Sequence, residues 1–424
     1  MSGLWAWLPG NGPVERKNFF LNSVEGAIIV ASGAFINPQT VLPALVSRLG
    51  GNNLAVGALG VIVYLGVFIP QLFAARYVET LAWKKPWAVR YGLIHRLFVL
   101  VMGCAILFLG GGRPGAALWM FLLLYTAMQV VVGVATPGWF DLFAKLTAPR
   151  RRGILVGVRN SAGGACAFVC GLILTWILAS WGFPVSFAVA FFAAFLLQMA
   201  SLATLNELVE SEPSTAAPRR QFTAYLGELP GVLRSNAPVR KFIIACAILT
   251  VATMPVSFYT VYALGRFQAD ESAVGEFTLI MVAIQVVSSL VTGYMADRYG
   301  NKAVMIVAAA SLLGASLTAL LAPTLGWFRV VYLLLGINLG TEINARYNMS
   351  IEYASARERS MYVGLMNTML APFYLTGMIG GALGEWFGLS AVFLAGGVAS
   401  VAGIMYMARN VREPRTLAAP EVRA

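Results

Sequence analysis

Twelve long apolar runs, near residues 19–45, 53–75, 87–110, 117–144, 153–180, 184–206, 240–264, 274–296, 302–322, 329–352, 360–384 and 389–408, decide the solvent in which this chain can fold. Crossing a hydrocarbon core about 30 Å thick takes about 20 apolar residues in a helix, because lipid offers backbone N–H and C=O groups no partner. Twelve such helices and their short loops consume nearly all of the 424 residues. The sequence therefore predicts an all-α membrane protein with no separate soluble domain. Charged residues make up only 11% of the chain, against roughly 25% in an average soluble domain, which excludes water as the main solvent. Residues 1–18 lack the basic start, apolar stretch and small-residue cleavage site of a signal peptide, so none is expected to be removed.

The formal net charge of +12 follows from topology. Loops on one side hold Arg16, Lys17, Lys84, Lys85, Lys145, Arg150, Arg151, Arg152, Arg219, Arg220, Arg234, Arg298, Lys302, Arg357 and Arg359, whereas the opposite loops hold Arg48, Arg113, Arg266 and Arg329. The positive-inside rule places the first set, and with it both termini, in the cytoplasm. The expected location is a bacterial inner membrane, and no nucleic-acid partner is expected. Cys104, Cys166, Cys170 and Cys246 all lie in apolar runs, where cysteine acts as a small hydrophobe. Neither a disulfide, a metal site nor a cofactor is predicted.

Between the sixth and seventh runs, S-E-P-S-T-A-A-P-R-R-Q interrupts the apolar pattern as a linker would. Residues 149–161, P-R-R-R-G-I-L-V-G-V-R-N-S, align without gaps on 356–368, A-R-E-R-S-M-Y-V-G-L-M-N-T, and A-V-G at 55–57 recurs at 273–275. The chain thus divides into a cytoplasmic segment (1–18), a six-helix bundle (19–208), a cytoplasmic linker (209–236), a second six-helix bundle (237–410) and a cytoplasmic tail (411–424). Repeated halves commonly place a solute site near the bilayer midplane, where they meet.

Residues 293–302, G-Y-M-A-D-R-Y-G-N-K, stand between spans eight and nine and resemble the signature loop of the major facilitator superfamily. The resemblance extends to span number, cytoplasmic termini, central linker and half-repeat. It implies twelve transmembrane helices in two pseudo-symmetric six-helix bundles that rock around a central cavity, working as a monomer. In the signature, Gly293, Asp297, Arg298 and Gly300 form a latch whose carboxylate faces the N-terminus of a helix in the other half, where unsatisfied N–H groups carry partial positive charge. By pseudo-symmetry that helix is span five, which begins at Arg150, Arg151 and Arg152. The alternative is that Asp297 and Arg298 only keep a tight loop solvated. The matching loop of the first half, F-A-A-R-Y-V-E-T-L-A-W-K-K-P, has Ala75 in place of the aspartate, which leaves Glu79 as the nearest carboxylate.

Ionisable side chains within a span cost several kcal/mol unless they face a cavity or a partner, so they are the candidate solute and coupling residues. Glu25 on span one, His95 and Arg96 on span three, and Arg159 on span five all lie roughly 10 Å deep at about 1.5 Å per residue. They are close enough in depth to meet, and Asp141 on span four is expected within reach of Arg159. Asn22, Glu25, Ser32 and Gln39 form one polar stripe along span one, close to Asn37. On span ten, Asn338, Glu342 and Arg346 follow a spacing of four, and glutamate before arginine is the favourable order for an intrahelical pair. That pair is either static scaffolding or a switch opened by a proton or solute. His95, the single histidine, reads as a hydrogen-bonding group ahead of a coupling one. Pro38, Pro137, Pro255 and Pro372 each remove a helix hydrogen bond, and Trp139, Phe258, Tyr259, Tyr262, Phe373 and Tyr374 cluster near them.

The functional reading is a secondary active transporter, proton-coupled, for a small organic or amphipathic solute, with Arg159 suited to an anionic group. An uncoupled facilitator or lipid-like flippase is the alternative, and a non-transporting receptor or scaffold the other class. No phosphate-cradling loop, metal ligand set or nucleophile elbow occurs, so no enzyme is expected.

Overall fold

The computed structural model describes residues 12–214, 231, 236–354 and 359–416. Most of the expected linker, with Arg219, Arg220 and Arg234, lies outside the described residues, as do Arg357 and residues 1–11 and 417–424.

The described chain is built of helices. Eight are long and apolar enough to cross a membrane: Asn53–Val78, Lys85–Leu109, Pro114–Leu146, Pro149–Ser180, Val185–Asn206, Ser272–Tyr299, Asn301–Leu321 and Leu389–Asn410. These are spans two to six, eight, nine and twelve. Span ten, Leu325–Glu352, is unbroken but carries Asn338, Glu342 and Arg346 along its length. Spans one, seven and eleven are each made of two helices: Pro13–Ser32 with Val41–Arg48, Ala237–Ala252 with Tyr259–Phe267, and Arg359–Leu370 with Thr376–Phe387. Pro38 and Pro255 fall in the first two breaks, and Pro372 in the 3-10 stretch Ala371–Leu375 that joins the third pair. Proline leaves one helix bond unmade, and the freed groups need other partners in lipid. In span one Asn37 supplies one, its Oδ1 accepting from the backbone N–H of Gln39 and Thr40 at 2.9 and 3.2 Å. Pro137 lies within an unbroken helix, as does Pro70 in span two.

The two halves are joined at one end and parted at the other. A single apolar core, including Leu42, Leu45, Phe121, Phe187, Phe258, Phe277 and Phe328, runs through both halves at the end far from the termini. Toward the termini the buried residues separate into one cluster around Phe242, Met305, Met349 and Tyr353 and another around Ala88, Leu142 and Leu202. Polar contacts follow the same division. At the far end Thr40 and Thr278 share a hydrogen bond of 2.6 Å, and Thr260 donates to the Gln39 carbonyl at 3.1 Å. Arg48 pairs with Glu271, and Glu385 accepts from the backbone of Asn53.

Spans two and eleven cross there backbone on backbone. A Cβ on Gly377 would stand 2.6 Å from the Gly57 carbonyl oxygen, and one on Gly57 would stand 2.1 Å from that of Gly377. Small residues permit such close approach between membrane helices, whose association depends on packing. The halves are therefore sealed at the far end, and the space between them faces the termini.

At the termini end each half is tied by a glutamate that follows its last span. Glu210 accepts from the backbone N–H groups of Lys84 and Lys85, both at 3.0 Å, and from Lys145 Nζ at 2.7 Å. Glu413 accepts from the backbone of Lys302 at 2.8 Å. Both carboxylates thus sit at the start of the third helix of their half, where unsatisfied N–H groups favour negative charge. Gly300, with φ +85°, makes the turn beside Glu413, whose carboxyl occupies the space of the missing Cβ.

Gly377→Val is expected to pry the far-end crossing apart and shift the protein toward a state open at that end. Spin labels at Ser47 and Asp270 should move apart in the variant; an unchanged distance would refute the crossing as the seal. Burial raises the Glu210 carboxyl, but the hydrogen bonds from Lys145, Lys84 and Lys85 outweigh it and hold it below the ordinary glutamate value. Its stabilising contribution is then present above pH about 4.5 and is lost as pH falls through the lowered value. Thermal unfolding of Glu210→Gln should differ from that of the parent at pH 7, with a gap that closes on acidification. A gap independent of pH would contradict this.

Candidate functional site

Span ten sets one wall of the central cavity. Its spacing of four brings Asn338, Glu342 and Arg346 to one face, and Glu342 Oε1 stands 3.3 Å from Arg346 Nε. Arg346 Nη1 donates to the Tyr374 hydroxyl at 3.1 Å, from the broken part of span eleven. The Tyr374 ring stacks on Tyr64 of span two, with centroids 3.6 Å apart and planes 12° apart. Asn338 is fixed by a 3.0 Å bond from Nδ2 to the Ala308 carbonyl. Two adjoining cavities of ≈ 120 and ≈ 180 Å³ share Tyr64, Thr253, Asn338, Glu342 and Tyr374 as walls. Gln39 borders the first, and Gln285 and Arg346 the second. Both halves thus contribute to the space.

The Glu342 side chain is 26% exposed toward this cavity, while that of Arg346 is 6% exposed. The arginine depends on its carboxylate for charge balance, because an uncompensated buried charge costs far more than the pair gains. The carboxylate alone is open to a proton or solute. Tyr64 and Gln285 escaped the sequence reading. The available signal was a hydroxyl and an amide in the middle of otherwise apolar runs.

A second cluster fills the first half. Glu25 Oε2 pairs with Arg159 Nη1 at 2.7 Å, and the same nitrogen donates to the carbonyl and Oδ1 of Asn22 at 2.6 and 2.8 Å. The guanidinium lies against span one where Gly26 has no side chain; a Cβ there would come within 2.2 Å of Arg159 Nε. Trp139 covers its other side, 5.0 Å from the guanidinium carbon, and Phe143 lies 5.9 Å away. Arg96 donates to the Gln198 carbonyl (2.6 Å), the Gly92 carbonyl (2.7 Å) and Ser201 Oγ (3.3 Å). Ser201 in turn donates to Glu25 Oε1 at 3.2 Å. Glu25, Arg96 and Arg159 therefore form one network, and His95 borders its cavity.

Two sequence expectations need correction. Asp141 does not approach Arg159; it is half-exposed and pairs with Lys84 at 3.6 Å. Trp139 and Phe143, one turn apart, face Arg159, so Asp141 between them points to the opposite side of the helix. Ser32 turns back to the Ile29 carbonyl of its own helix at 2.7 Å, and the break after it ends the stripe before Gln39.

At the signature loop, Asp297 is exposed and Arg415 approaches its backbone carbonyl at 3.5 Å. Arg298 donates to the Tyr294 hydroxyl at 3.1 Å, and a Cβ on Gly293 would meet nothing within 4 Å. Beside Arg151, Arg152 donates to the carbonyls of Ala144 and Thr147 at 2.6 and 3.2 Å. This loop and the start of span five stand at the parted end of the molecule.

Residues 242–424 match the sequence model of the Major Facilitator Superfamily. The 4-hydroxybenzoate transporter PcaK of Acinetobacter baylyi (strain ATCC 33305 / BD413 / ADP1) is 30% identical over 132 residues, a match spanning 30% of this chain and 28% of that protein. Among solved structures, a mutant form of the nucleoside transporter NupG superposes with a TM-score of 0.71 at 13% identity, over 93% of this chain and 100% of that one. A D-xylose-proton symporter gives 0.65 at 14% identity, over 94% and 98%. A bacterial homolog of the human lysosomal transporter Spinster, inward-facing and unoccupied, gives 0.61 at 13% identity, over 98% of each chain. The structural likenesses carry the fold across both halves, and the sequence match to the Major Facilitator Superfamily covers residues 242–424, in the second half.

Proposed function

We propose that this chain is a secondary active transporter that moves a small organic solute by alternating access, coupled to protons. The observation that carries the reading is the Glu342–Arg346 pair, which opens into a cavity between two halves that are sealed at one end and parted at the other. A carboxylate within reach of both solute and arginine is a coupling device. While ionised it neutralises Arg346; once protonated it leaves the guanidinium able to accept a solute anion. Proton and monoanion then cross together without net charge. The 4-hydroxybenzoate that names one relative and the proton that names another support this solute class and coupling.

With the basic loops at the parted end, this conformation faces the cytoplasm, and both termini lie there. The location is a bacterial inner membrane, and the two bundles joined by the linker work as a monomer. Rocking to the opposite state brings the Asp297 loop to the start of span five, where Arg150 to Arg152 and the helix N-terminus receive its carboxylate.

Glu342→Gln mimics the protonated form, so reconstituted protein should lose accumulation driven by an imposed pH gradient yet retain solute exchange. Accumulation equal to the parent's would remove Glu342 as the coupling group.

A further inference from the structure

Spans one, three, four, five and six enclose a cavity of ≈ 300 Å³ that has no lining residue in common with the central one. Ile29, Val132, Ala135 and Leu205 give it an apolar wall and Trp139 an aromatic one, while Glu25, Arg96 and Arg159 supply charge. Two guanidinium groups thus face one carboxylate, and all three residues are more than nine-tenths buried. A net positive charge in such a place is costly unless something balances it.

Among the described residues the polar contacts of Arg159 all run through Nη1, which leaves its Nε and Nη2 without an acceptor. Asn22 Nδ2 is a buried donor without a partner among the described residues, and Gln198 Oε1 a buried acceptor without one. What the charge balance of the cluster lacks is one negative charge. A monocarboxylate brings that charge and two acceptor oxygens in the planar geometry of a guanidinium, whereas a doubly charged phosphate overshoots the balance.

We propose that this first-half cavity is a second ligand site, for a small organic monocarboxylate whose anionic end meets Arg159 and whose apolar body lies against Trp139, Ile29 and Leu205. Glu25 competes with the ligand for Arg159, and Arg96 supplies the charge that remains when both carboxylates are present. The site is independent of transport through the central cavity, so it would bind its ligand in a protein whose central pair had been removed.

Benzoate is the probe, titrated calorimetrically into purified protein carrying Glu342→Gln and Arg346→Gln together. This background should bind one equivalent. Adding Arg159→Gln should weaken binding about tenfold or more, the size of a lost charge-assisted pair. Adding Glu25→Gln instead should tighten it, because the competing carboxylate is gone while the polar shape is kept. That second arm needs a folded protein to give a gain, so it is decisive even where Arg159→Gln fails to fold. No binding in the background, or no tightening with Glu25→Gln, overturns the proposal. Loss of transport in the same background tests the central pair separately.

Discussion

Hydrocarbon provides no hydrogen-bond partners, and most of this structure follows from that constraint. Unbroken helices satisfy their own backbone and face lipid at little cost, which is why spans two to six, eight, nine and twelve are regular. Spans one, seven and eleven are interrupted, and their interruptions lie against the central cavity or the other half. Gln39, within the first break, gives its carbonyl to Thr260 of span seven and its side chain to the cavity wall. Thr253, at the second break, and Tyr374, within the third, line the same space. Irregular backbone is tolerated in a bilayer only where protein or a water-filled cavity receives it. The three breaks therefore mark the place where the two halves enclose a polar space.

The same constraint arranges the charges. Each half carries a buried glutamate–arginine pair, but the two pairs are built differently. Glu342 and Arg346 belong to one helix, so helix geometry alone holds them near each other whatever the halves do. Glu25 and Arg159 belong to different helices, and their contact needs Gly26 beneath the guanidinium and Trp139 above it. In the first pair the carboxylate is a quarter exposed; in the second both side chains are less than a tenth exposed and border the first-half cavity. An intrahelical pair with one open member suits reversible protonation. A pair locked between helices binds those helices into one body.

Much of the architecture was legible because apolar run length and loop charge are properties of local sequence. The half-repeat, the signature loop and the grouping of Glu342 with Arg346 required only counting. Depth along a span was legible too, and it brought Glu25, Arg96 and Arg159 to one level. Angular position was less so. Asp141, shallower than Arg159 but expected within its reach, lies on the wrong side of its helix, an error of about two residues that reverses direction at roughly 3.6 residues per turn. Contacts set by tertiary packing left still weaker traces. The Tyr64–Tyr374 stack joins span two to span eleven, and the Glu210 and Glu413 ties depend on where segments after spans six and twelve come to rest.

The asymmetry between the ends of the molecule gives these contacts a direction. At the far end the seal is made of contacts between halves: a glycine crossing, a threonine pair and the Arg48–Glu271 pair. At the termini end the corresponding ties stay within each half, with Glu210 holding spans three and four and Glu413 holding span nine. Ties inside a half keep its helices together as a rigid body and oppose no motion between halves. In the proposed cycle, closure at the termini end would use groups left exposed there, and the far-end contacts between halves would break. Two rigid bundles with exchangeable contacts at either end form a two-state element, and a central cavity walled by both is placed to respond to which contacts are made.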